Sequence, residues 1–162
     1  MNLIRIDETT AEKVIPLIAA FRTALRSLKG ICAEPDFAWA REEVFEFLEK
    51  GYPIYAAEQN GEPAGYIVCR IEAPCLWVEQ IFVREQYRRQ GIASLLFGKA
   101  EEIAESMGDD TVYNFVHPNN DGMISFLRSK GYAVLNLIEI RKPYKGEKPE
   151  TTVLVNEHVF DY

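Results

Sequence analysis

The stretch Arg88-Arg89-Gln90-Gly91-Ile92-Ala93-Ser94 brings two guanidiniums, a glycine and two small residues to the start of a helical apolar pattern. Amide N–H groups in a first helical turn have no internal partners, and the macrodipole adds partial positive charge there. Gly91 lets an anion approach the backbone, Ala93 keeps the next position small, Ser94 offers a hydroxyl, and the arginines add charge. Together these residues describe a cradle for a pyrophosphate. Neither GxxxxGKS/T nor GxGxxG is present, so a P-loop is excluded and a dinucleotide is not the first choice. A plain strand-to-helix turn with solvated arginines would use the same residues.

The surrounding pattern supplies the elements that hold this turn. NLIRI reads as a first strand, and Thr9 to Glu12 fits a capping box opening a helix. Val14, Ile18, Phe21, Leu25 and Leu28 recur at helical spacing up to Gly30, with Pro16 either kinking the helix or setting its start. Asp36 can cap a second helix carrying Phe37, Ala40, Val44, Phe47 and Leu48, closed by Gly51. YPIYAAEQNGEPAGYIVCRIEAPCLWVEQIFV then reads as three strands, with Asn60-Gly61 as a tight hairpin turn and Pro74 at the second turn. The third strand, Leu76 to Val83, leads into the cradle. A helix from about Gln90 to Met107 follows 3.6-residue periodicity. TVYNFV at 111–116 reads as a buried strand, Asn119 or Asn120 opens a short helix, and Gly131 stops it. YAVLNLIEIRK and TTVLVNEHVF read as two closing strands. The central strand–helix–strand unit implies a parallel pair in a mixed sheet. The fold class is therefore α/β (α+β), with about six to seven strands in one sheet and about four helices, in a single domain over 1–162.

Composition narrows the function. The chain has 162 residues, 48% of them apolar and 27% charged, enough for a core without staples. Its net charge is −7, from 18 basic and 25 acidic residues, so a general nucleic-acid surface is not expected and a cationic small substrate is compatible. No apolar run is long enough to span a membrane, and MNLIRIDETT lacks an apolar signal core, so a cytoplasmic protein is expected. Cys32, Cys69 and Cys75 have no CxxC spacing, which argues against a zinc site and against a disulfide framework.

Two motifs in register then bring a family into view. Val83-Arg84-Glu85-Gln86-Tyr87-Arg88-Arg89-Gln90-Gly91-Ile92-Ala93 resembles V-x-P-x-Y-R-x-x-G-x-G/A, motif A of the GNAT superfamily of N-acetyltransferases, with Glu85 in place of proline. Val116-His117-Pro118-Asn119-Asn120-Asp121-Gly122-Met123, followed by Lys130-Gly131-Tyr132, resembles the second motif, V-x-x-x-N-x-x-A and a helix ending in G-F/Y, with Met123 in place of alanine. The element order fits the same family from end to end. The resemblance implies acetyl-CoA as cosubstrate, without a metal. Its pyrophosphate would lie on the amides of Arg88, Arg89, Gln90, Gly91, Ile92, Ala93 and Ser94. Its pantetheine arm would pair with the backbone of strand 76–83 around Ile81, Phe82 and Val83, in a splay between that strand and 111–116. Asn120 would bond the arm; its ordinary role would be to cap the following helix.

Transfer to an amine needs a neutral nucleophile, stabilisation of the thioester oxygen and departure of a thiolate. Glu79 is the first candidate base, because a carboxylate in the mostly apolar VEQIFV needs a reason to be there. Strand alternation groups it with Ile81 and Val83, opposite Gln80 and Phe82. A structural arginine partner would also explain it. His117 is the second candidate, since its ordinary pKa suits a base near neutrality; a loop histidine beside Pro118 is the plainer role. His158 reads as structural. Leu127 stands where many relatives in the family carry a tyrosine acid, and Tyr113 or Tyr132 would have to substitute if an acid is needed. The expected activity is acetylation of a primary amine by direct attack in a ternary complex. The acceptor would be a small molecule: a polyamine, an aminoglycoside-like amine or an amino-acid amine. It would be read by Glu34, Asp36, Phe37 and Trp39, by Asp161, or by the loop 143–150. Acetylation of a protein α-amine or lysine, and a non-catalytic acyl-CoA sensor, are the alternatives. A homodimer is compatible with either.

Overall fold

The computed structural model describes residues 1–162, which form two compact units, Met1–Ser125 and Phe126–Tyr162. In the first unit, β1 (Asn2–Arg5), β2 (Ile54–Gln59), β3 (Glu62–Glu72), β4 (Cys75–Val83) and β5 (Tyr113–Asn114) form one sheet in chain order. The first four strands run antiparallel and β5 joins β4 in parallel. Asn60 and Gly61 both take positive φ, as the two-residue turn between β2 and β3 requires.

Helices α1 (Ile15–Ser27) and α2 (Phe37–Glu49) cover one face of this sheet. Val14, Leu17 and Ile18 close a dry core with Val44, Ile54, Ala56, Tyr66 and Val68. On the other face α3 (Ile92–Ser106) packs on β2, β3 and β4, sealing Ile92, Leu96, Phe97, Ala100 and Ala104. Burial of each large apolar side chain contributes about 1.5–3 kcal/mol. A fourth helix, α4 (Asp121–Ser129), crosses from the first unit into the second. All four helices end in paired back-bonds to a glycine and the residue after it, as at Gly131 to Arg128 and Tyr132 to Leu127, 3.0 Å each.

Several expectations change. The Thr9–Glu12 capping box does not form, because the Asp7 carboxylate captures the N–H and hydroxyl groups of Thr9 and Thr10 first. A single 3-10 turn, Ala11–Lys13, follows, and Pro16 sets the start of α1 in its first turn. Asp36 caps α2 as expected, accepting from Trp39 N at 2.9 Å. The strand expected over 111–116 is only Tyr113–Asn114, half-buried and not buried. In the second unit, 132–142 forms no strand. TTVLVNEHVF is not one strand: it folds back at Asn156, φ 54°, into the hairpin of β6 (Thr152–Val155) and β7 (His158–Asp161). The central sheet thus has five strands, and the last two make a sheet of their own.

Candidate active site

β4 is half-open along its length. On one side it pairs with β3 from Cys75 to Val83. On the other, β5 pairs only at Trp77–Tyr113 and Val78–Asn114. From Glu79 to Val83 the backbone therefore faces no strand on that side, which is the expected splay. Where the ladder stops, the Asn114 side-chain oxygen is buried with no hydrogen-bond partner.

Glu79 sits at a bulge. Val68 pairs with Gln80 and Cys69 with Val78, which leaves Glu79 as the extra residue. The bulge overturns the simple alternation read from VEQIFV. Glu79 accepts from Arg70 Nε at 3.0 Å. Arg70 lies two residues beyond Val68, on the face covered by α1 and α2. Gln80 faces the same way, bonded to Tyr66 and Glu43. Arg70 also pairs with Glu72 and lies 5.3 Å over the Trp77 ring. Glu79 thus has the arginine partner considered from sequence, and its side chain keeps 32% of its exposure. Ile81, Phe82 and Val83 continue to the cradle, half-buried.

The chain leaves β4 through a 3-10 turn, Glu85–Tyr87, and reaches α3 with Arg89 at φ 61° and Gly91 at φ 82°. Gly91 is the N-cap, and no side chain caps the helix, so the first-turn amides of Ile92, Ala93 and Ser94 have no side-chain acceptor. Ile92 is buried and anchors this turn from below. Arg88 Nε donates to Val83 O at 3.1 Å, and Gln90 donates to Gln86 O while accepting from Gln59. These two side chains brace the loop, while Arg89 is exposed beside it. The Gln59 side-chain oxygen is the second buried acceptor with no partner. Gly65 was not singled out from sequence: a Cβ there would lie 2.7 Å from Phe82 O, so β3 needs glycine to let β4 pass.

Across the gap, His117 Nδ1 accepts from Asn119 N at 3.2 Å, which puts the neutral ring's proton on Nε2. Partial burial, and then the Lys29 cation, hold its pKa below the ordinary 6.5. Asn120 Oδ1 accepts from Met123 N at 3.1 Å, so Asn120 caps α4 with its oxygen and keeps its amide N–H groups for other work. Trp77 stacks on Phe115 at 4.6 Å and lies against Tyr113 at 4.9 Å. The adjacent Cys75 thiol raises the Tyr113 phenol.

A chain of buried polar groups, unseen in the sequence, links β4 to the helices. Tyr66 OH donates to Gln80 at 2.6 Å, Gln80 donates to Glu43 at 2.8 Å, and Glu43 pairs with Arg22. Burial raises the Tyr66 phenol, and burial lowers Arg22. The Arg22 guanidinium lies 5.0 Å over Trp39 and feels the charge of Glu79. Outward from it opens a cleft of ≈ 460 Å³. Ala19, Arg22, Thr23 and Arg26 form its α1 wall; Glu34, Asp36, Trp39 and Glu42 face them. Phe37, expected here, does not line it.

In the second unit Leu127 is buried, 7% exposed, and Tyr132 is half-buried. His158 is exposed on β7, 6.5 Å from the Phe160 ring. Asp161 lies on the same strand. No helix is long and apolar enough to cross a membrane.

Comparison with known proteins adds a family. An uncharacterised N-acetyltransferase of Methanocaldococcus jannaschii is 31% identical over 109 residues, 58% of this chain and 45% of that one. The Drosophila melanogaster protein named "Probable N-acetyltransferase san" is 28% identical over 109 residues, 64% of this chain and 58% of that one. The match thus spans about half the length of these curated relatives. Among solved structures, the AAC(6')-Iy complex with a CoA bisubstrate analog has a TM-score of 0.66 at 18% identity, covering 87% of this chain and 97% of that one. Ribosomal-protein-alanine N-acetyltransferase from Brucella melitensis biovar Abortus 2308 has 0.69 at 17%, covering 88% and 100%. These two likenesses show the fold. Residues 19–132 match the acetyltransferase (GNAT) family, so the half-open β4, the uncapped α3 and the Asn120 turn belong to a member of that family.

Proposed function

We propose that the chain, as one domain over 1–162, is an acetyl-CoA-dependent N-acetyltransferase acting on a primary amine of a small molecule. The observation that carries this is the open edge of β4 beside the uncapped start of α3. One is a strand edge that no neighbouring strand pairs, its Val83 oxygen already accepting from Arg88, the other a helix start with no side-chain cap, and they are joined by eight residues of chain. A long ligand with peptide-like amides at one end and a diphosphate at the other fits both. The unpartnered acceptors of Asn114 and Gln59 support a polar ligand there.

Acetyl-CoA supplies an activated acyl thioester. The amides from Arg88 to Ser94 would hold the diphosphate, the backbone of Ile81, Phe82 and Val83 would hold the arm, and the Asn120 amide would bond it. Glu79 takes the proton from the acceptor ammonium, directly or through water, with His117 as the other base. Both substrates are bound together, so the amine attacks without an acyl-enzyme. The C–S bond breaks to release a thiolate, whose conjugate acid has a pKa of about 8.5, so no acid is obligatory, which accommodates Leu127; the thiolate takes up the second proton lost by the attacking nitrogen. Tyr113, held protonated by its raised pKa, is a phenol able to donate.

The test is calorimetric titration with acetyl-CoA, followed by thiol release across an amine panel. Binding with transfer supports the enzyme. Buried Leu127 favours a second reading, an acyl-CoA sensor, and tight binding with no transfer to any amine would select it.

A further inference from the structure

We infer that the cleft between α1 and α2 is the acceptor site and that it selects an amine carrying a carboxylate, an amino-acid-like zwitterion, over a polycation. The inference rests on the transferase reading above.

The walls of this cleft differ in sign. Arg22 and Arg26 lie four residues apart on one face of α1. Glu34, Asp36 and Glu42 lie opposite, beside Trp39. These charges are not equally available. Asp36 is committed to capping α2, and Arg22 gives Nε and one terminal nitrogen to Glu43. Arg26, Glu34 and Glu42 form no ion pair within the chain. One uncommitted cation thus shares the cleft with two uncommitted anions.

A diamine or an aminoglycoside would set like charge against Arg26 and against the remaining edge of Arg22. An amine with a carboxylate matches both walls: the ammonium meets the acidic side, and the carboxylate meets Arg26, which guanidinium geometry suits. The Trp39 ring beneath Arg22 gives the stem an apolar surface. Arg22 also connects the cleft to the chemistry, since it feels Glu79 and, through Glu43 and Gln80, is tied to β4. The cleft wall at Arg22 is thus linked through Glu43 and Gln80 to the strand that carries the proposed base.

The experiment uses matched pairs that differ only by a carboxylate: lysine against cadaverine and ornithine against putrescine, with kanamycin as a polycation. We expect kcat/KM for each amino acid to exceed that for its diamine about fivefold, the scale of a screened ion pair. The gap should shrink at high salt. Arg26→Ala should close it through the acceptor KM and leave the acetyl-CoA KM unchanged. A wild-type preference for the diamines or kanamycin overturns the inference and leaves the transferase intact. So does a gap that Arg26→Ala does not touch. No transfer to any of the five, with acetyl-CoA bound, overturns the inference, while the transferase reading falls only if the wider amine panel also shows no thiol release.

Discussion

Glu79 is the residue proposed to take the proton from the amine. If it takes the proton from the amine, Glu79→Gln keeps shape and removes basicity, and the chemical step should slow about 10²-fold or more. Acetyl-CoA affinity should barely change, since the contacts proposed for that ligand are to backbone groups away from this side chain. His117→Gln is the paired measurement: a larger loss there transfers the role, and near-normal rates in both leave water or free amine as the route. His117 also makes a prediction in pH. Its folded pKa lies below 6.5, so below 6.5 the unfolded chain binds the proton more readily. Its contribution to stability is complete above 6.5 and is lost as pH falls through the folded value. Proton NMR of the ring should show a midpoint under 6.5, and a midpoint at or above it contradicts the burial seen here. Sequence alone flagged both residues, because each is a titratable type in an apolar or turn setting. It misplaced Glu79 on the sheet, because one inserted residue shifts the faces of a strand and leaves no compositional trace.

At the scale of elements, the buried chain from Tyr66 to Arg22 locks β3, β4, α2 and α1 together. Glu43 is its centre, 7% exposed, with both carboxylate oxygens in use. Glu43→Ala should destabilise by about 3 kcal/mol, because Gln80, 2% exposed, loses its acceptor and Arg22 loses its partner. A urea midpoint shift at constant m-value measures it; a change under about 1 kcal/mol would mean that water replaces the carboxylate. The helices were readable because their signals are local: Asp36 at one start, Pro16 at another, glycines just past the ends. The Tyr66–Gln80–Glu43–Arg22 chain was not, since its members are 14 to 37 residues apart. The segment 132–142 misled for the opposite reason. Val134, Leu135, Leu137, Ile138 and Ile140 give an apolar, strand-like run, yet all are exposed and no partner strand lies in the chain. Periodicity reports which face would be apolar, not whether anything covers it.

Across the whole molecule, burial is unequal. Every buried apolar side chain except Leu127 lies within 1–125. The amides of β2, β3 and α3 should exchange only with global unfolding, while those of β6 and β7 should exchange through local opening with far lower protection. Native-state hydrogen exchange by mass spectrometry separates the two, and equal protection of the hairpin and β3 would contradict the burial pattern. The open stretch of β4 has a further meaning for the protein as a solute. A row of unpaired N–H and C=O groups is a template on which any extended segment of a neighbouring molecule can add a strand. The extra residue in that stretch is a bulge, which twists the edge, and its side chain brings a charged pair with Arg70 to it. The residue proposed to move a proton is thus also expected to disfavour strand addition between copies, and static light scattering of Glu79→Gln should show association at lower concentration than the parent chain.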